Sequence, residues 1–120
     1  MLDRNVWYRS LALLMLCMNI ILTFTLIYLA LDFLDLGRIV EHRGGQIFAP
    51  LWFDQLTRTM YFSSITLFSV GYGDMTPYHW ARIVAVVEAT VGYILPAVIT
   101  VQYLQLYPSL IERWLPNRRK

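Results

Sequence analysis

From Leu11 to Leu31 the chain carries no charged residue, and only Asn19, Thr23 and Thr25 interrupt its apolar character. A helix of that length rises roughly 30 Å, the thickness of a bilayer's hydrocarbon core. Arg4 and Arg9 precede the run, as basic residues precede a secretion signal. The apolar region of such a signal is only about 7–15 residues long, however, and no small-x-small cleavage site follows here. The stretch therefore predicts a transmembrane helix over 11–31. Composition agrees: 58% of the residues are hydrophobic and 15% charged, where soluble domains lie near a half and a quarter. That balance excludes a nucleic-acid-binding protein and a disordered linker. The single cysteine, Cys17, excludes an intrachain disulfide scaffold.

A second long run, 80–106, is apolar but broken by Arg82, Glu88, Gly92, Pro96 and Gln102. At roughly 40 Å as a helix it must tilt or protrude from the membrane. Polar groups at membrane depth face protein or a water-filled cavity, so this helix is expected to line something. Between the runs, 32–53 contains Gly37, Gly44, Gly45 and Pro50 and reads as an exposed loop. Residues 54–68 read as a short helix with Asp54 as N-cap, too short to cross and therefore re-entrant. The irregular segment 69–74 is tolerated at membrane depth only under protein or water. The basic residues Arg4 and Arg9 in 1–10, and Arg113, Arg118, Arg119 and Lys120 in 107–120, predict that both termini of a multi-pass cell-membrane protein are cytoplasmic. Trp7, Tyr8, Tyr107 and Trp114 then mark the inner interface, and Trp52, Tyr78 and Trp80 the outer.

Between the two runs stands Thr66-Leu67-Phe68-Ser69-Val70-Gly71-Tyr72-Gly73-Asp74. This stretch resembles the signature of potassium channels, and the chain from Leu11 to Leu106 is similar to their two-transmembrane pore module. The resemblance implies an all-α membrane protein with two transmembrane helices, a re-entrant pore helix and a selectivity-filter loop, assembled as a homotetramer in the lipid bilayer. It implies K+ conduction down the electrochemical gradient, with K+ as the permeant ligand, no cofactor and no enzymatic step. A non-selective cation channel on the same fold and a non-conducting membrane partner subunit are the alternatives.

The chemistry asks for this pattern. An ion entering a narrow pore exchanges its water shell for rings of backbone carbonyls. An ordinary strand turns alternate carbonyls to opposite sides, so pointing them all one way needs left-handed backbone, which glycine enters cheaply. Gly71 and Gly73 meet that need, with Val70 and Tyr72 expected to wedge the loop against the pore helix. The resemblance assigns K+ coordination to the carbonyls of Ser69, Val70, Gly71 and Tyr72, with the Ser69 hydroxyl closing the innermost site. Phe68 and Ser69 stand where the family usually has two threonines, and Ser69 lacks the methyl that stiffens χ1.

Other residues are assigned by position. Gly92 matches the gating-hinge glycine of the family's inner helix. Pro96, which removes an N–H and crowds the preceding turn, predicts a bend between them, either a static kink or a moving hinge. Glu88, the one acid within either run, is expected behind the filter, either bonded as a protonated acid to a pore-helix hydroxyl such as Ser64 or Thr66, or attracting ions. Asp74 at the outer mouth is expected to accept a hydrogen bond from Tyr61. Arg82 is expected to pair with an acid or to snorkel, His42 and His79 to be solvated, and Asn19, Thr23 and Thr25 to bond within or between helices.

Overall fold

The computed structural model describes residues 4–42 and 50–106. The basic stretch 107–120 with Tyr107 and Trp114, and Arg43, Gly44 and Gly45 of the loop, lie outside the described residues. The order of elements is α1 (Arg4–Phe33), β1 (Gly37–Glu41), α2 (Leu51–Leu67), β2 (Met75–His79) and α3 (Trp80–Leu106). The protein is mostly helical, and α1 and α3 are long and apolar enough to cross a membrane. Their outward surfaces are covered with exposed Leu, Ile, Val and Met, which suits lipid or other chains rather than water.

α1 starts a turn and more before the uncharged run and continues to Phe33. Its end is a Schellman motif. The Asp35 N–H donates to the Asp32 carbonyl at 3.2 Å and the Leu36 N–H to the Leu31 carbonyl at 2.9 Å, with Asp35 itself left-handed at φ 55°. The reversal delivers the chain to β1, where a loop was expected. β1 pairs antiparallel with β2 in the register Gly37 to His79 through Glu41 to Met75. The backbone polar groups beside the loop 69–74 are thus satisfied by one another. Pro77, which lacks an N–H, is tolerated because a two-stranded sheet consists only of edges.

α2 begins at Leu51, one turn earlier than expected, with Pro50 at the N-cap position. Asp54 is not the cap. Its carboxylate is engaged by Arg58 one turn on, at 2.8 Å from Nε, and its charge still suits the first turn of the helix. The small core of Tyr28, Phe62, Met75 and Ala81 lies where α1, α2 and α3 meet the sheet. Tyr28 and Phe62 meet edge to face, with centroids 5.3 Å apart. α3 runs through Pro96 as one helix.

Candidate functional site: the loop after α2 and its supports

α2 also ends in a Schellman motif. The Ser69 N–H donates to the Thr66 carbonyl at 3.2 Å and the Val70 N–H to the Ile65 carbonyl at 2.9 Å, with Ser69 left-handed at φ 57°. The chain then repeats the left-handed conformation at Gly71, φ 54°, and Gly73, φ 78°. Glycine was expected to supply this geometry; Ser69 was not, because a left-handed serine has no sequence signature. A Cβ on Gly71 or Gly73 would meet nothing within 4 Å, so the requirement there is conformational, not steric.

The consequence for the carbonyls comes from peptide planarity. In a trans peptide the N–H of one residue and the C=O of the residue before it point in opposite directions. The N–H groups of Val70 and Gly71 both donate to the Ile65 carbonyl, at 2.9 and 3.2 Å. The carbonyls of Ser69 and Val70 therefore both point away from their own pore helix. Two consecutive carbonyls on one side is the arrangement an ordinary strand forbids.

The side chains of Val70 and Tyr72 do not wedge against the pore helix of the same chain. They are 50% and 72% exposed. Phe68 is also exposed. Asp74 is held where expected: Tyr61 Oη donates to its Oδ2 at 3.1 Å. Desolvation, then the bond to Asp74 and the charge of Asp74, raise the Tyr61 hydroxyl above its ordinary value, which keeps it a donor. On the far side the His42 N–H donates to the Asp74 carbonyl at 2.9 Å, and His42 Nε2 lies 2.7 Å from Thr76 Oγ1. His42 is thus tied to the end of the loop. Arg58 bridges α2 to the sheet, with Nε 3.2 Å from Glu41 Oε2.

Behind the loop, Glu88 is completely buried. It bonds Ser63 of α2 and Tyr28 of α1, the latter donating to Oε2 at 2.6 Å. The expected partners, Ser64 and Thr66, instead donate to Met60 and Phe62 carbonyls of their own helix, each at 2.8 Å. Ser63 faces α3 because one residue turns a helix by about 100°. Thr23 and Thr25 likewise bond their own helix. Among the described residues Arg82 reaches no acid; its Nε donates to the Pro77 carbonyl at 3.2 Å, and its guanidinium lies over the Tyr78 ring. One turn beyond Glu88, Gly92 lies against the end of α2, where a Cβ would fall 1.8 Å from the Leu67 carbonyl oxygen. Close approach accounts for a glycine there without any bending.

Residues 16–107 match the family model described as ion channel. The chain belongs to that ion channel family. It is 40% identical over 76 residues to the protein LctB of Geobacillus stearothermophilus, covering 58% of this chain and 57% of that protein. It is 41% identical over 76 residues to the LctB of Bacillus caldotenax, with the same coverage. The chain thus spans a little over half the length of these relatives. No solved structure matches it. Family membership and the two apolar helices make it a membrane protein of the ion channel class.

Proposed function

We propose that this chain is the pore-forming subunit of a potassium-selective channel. Four copies meet about an axis in a cell membrane, with both termini cytoplasmic, and each contributes one loop. The carbonyls of Ser69, Val70, Gly71 and Tyr72, with the Ser69 hydroxyl, replace the hydration shell of K+. Gly73, Asp74, Tyr61 and Thr66 support the loop, Gly92 packs α3 against the end of α2 in place of the hinge expected there, and Pro96 marks where α3 bends on gating. The observation that carries the reading is the pair of amides, Val70 and Gly71, turned together onto the Ile65 carbonyl, which sends two successive carbonyls the other way. The large exposure of Val70 and Tyr72 in one chain supports it too, since in a tetramer neighbouring copies cover these side chains.

The test is ion flux in liposomes containing the purified protein. Flux of K+ driven by its gradient, blocked by barium and far exceeding Na+ flux, is expected. Equal K+ and Na+ flux would convert the reading to a non-selective cation channel. Intact tetramers with no flux would make the chain a non-conducting subunit.

A further inference from the structure

Glu88 lies at a junction of all three helices. Tyr28 reaches it from α1 and Ser63 from α2, and neither Glu88 nor Ser63 has any exposed surface. Among the described residues no basic side chain forms an ion pair with it. A bare carboxylate in such a place is costly, and burial without an opposite charge favours the neutral acid.

Counting hydrogens leads to the same state. Three oxygen–oxygen contacts meet here: Tyr28 with Glu88, Ser63 with Glu88, and Ser63 with the Ile21 carbonyl at 3.3 Å. Each needs one hydrogen to be a bond. The hydroxyls of Tyr28 and Ser63 own one each, and the Ile21 carbonyl owns none. A third hydrogen, carried by Glu88, completes all three. With the acid protonated, Glu88 Oε1–H donates to Ser63 Oγ, Ser63 donates to Ile21, and Tyr28 donates to Oε2. Every group is then satisfied.

We propose that Glu88 is a positioning residue that works as the neutral acid, pinning the pore helix between α1 and α3 through Ser63. The second grip lies one turn along both helices. Glu88 and Gly92 are four residues apart on α3, and their contacts on α2, Ser63 and Leu67, are also four apart. The inner helix therefore holds the last turn of the pore helix, immediately before Ser69, by one polar and one close-packed contact. The protonation state stands independently of the channel function; its effect on current rests on the proposed pore.

The experiment compares the full chain with Glu88→Gln and Glu88→Leu. A glutamine reproduces the neutral pattern, its amide donating to Ser63 and its carbonyl accepting from Tyr28. Infrared spectra of the parent in lipid at neutral pH are expected to contain a protonated-carboxyl C=O band that shifts in deuterated water and is missing from Glu88→Gln. That variant should keep assembly, K+ over Na+ preference and current within about twofold, because no hydrogen bond is lost. Glu88→Leu leaves the Tyr28 hydroxyl without a partner and cuts Ser63 off from α3, and its assembly or sustained current should fall by about tenfold. A parent spectrum without the band would overturn the neutral acid even if the channel conducts. A Glu88→Gln variant that assembles normally but loses most of its K+ current would overturn it as well, assigning the role to negative charge. Glu88→Leu indistinguishable from the parent would overturn the positioning role.

Discussion

Two helix ends in this molecule are built alike and lead to opposite outcomes. α1 and α2 both close with a Schellman motif on a left-handed residue that is not glycine, Asp35 at φ 55° and Ser69 at φ 57°. Both ends also approach α3 closely through a glycine. A Cβ on Gly37 would fall 2.7 Å from the Ala81 nitrogen, and one on Gly92 would fall 1.8 Å from the Leu67 oxygen. After Asp35 the chain becomes strand β1, and its backbone groups pair with β2. After Ser69 it stays irregular, with a left-handed residue at every second position and carbonyls of Ser69 and Val70 turned away from the pore helix. The cap does not decide the path of the chain beyond it. The glycines at 71 and 73, which prevent a strand from forming, do.

The largest effect is expected from Gly92→Ala. Its new methyl would overlap a backbone oxygen that cannot swing aside, and overpacking of this kind costs about 1–3 kcal/mol or more. Tetramer yield on size exclusion should drop by about tenfold, and surviving channels should be altered at the filter as well as in gating. Normal assembly with only a changed open probability would mean that Gly92 serves bending, not packing.

Gly71→Ala comes next. Nothing stands within 4 Å of the added Cβ, so folding and assembly should persist. The left-handed conformation now costs about 1–2 kcal/mol in each chain, and the loop should relax toward ordinary extended backbone. Reversal potentials under K+ on one side and Na+ on the other should show selectivity lost or flux abolished. Unchanged selectivity would remove the distinction between this loop and β1.

Tyr61→Phe removes only the hydroxyl that bonds Asp74. Because Tyr61 is 40% exposed, water replaces part of that bond, and a few-fold faster decay of current with selectivity retained is expected. Decay unchanged from the parent would leave Tyr61 a packing residue.

The smallest effect separates the two caps themselves. Asp35→Gly relieves a left-handed side chain at the cost of its ion pair with Arg38, and the Asp35 side chain is 85% exposed, so that pair contributes little. A slight rise in Tm with unaltered current is expected. Ser69→Gly relieves the same strain but removes the hydroxyl proposed for the innermost ion site, and should weaken K+ binding there, read as altered barium block.

The spans and the pore helix were legible because uncharged length and a Gly-x-Gly step between apolar runs are local features. α3 has the bounds expected, 80–106. The sheet was not legible: Gly37–Glu41 is short, its partner contains Pro77, and their pairing joins residues far apart in sequence. Ser63 was missed in favour of its neighbour Ser64, since no run of hydroxyls reveals which one faces α3 before the helices are docked. Asp35 and Ser69 were missed for a related reason, as only glycine advertises left-handed backbone. The Tyr61–Asp74 bond joins residues 13 apart across the end of α2, and it was legible only through the resemblance to channels that tie this acid to a pore-helix side chain.

The central claim, that carbonyls after Ser69 hold K+ on a shared axis, is tested most directly by anomalous scattering from crystals of the assembled protein soaked in a rubidium or thallium salt. The account predicts a fourfold assembly with a row of ion peaks on its axis, each ringed by the carbonyl oxygens of Ser69, Val70, Gly71 and Tyr72. An assembly without fourfold symmetry, or an axis without ions beside those carbonyls, would contradict it.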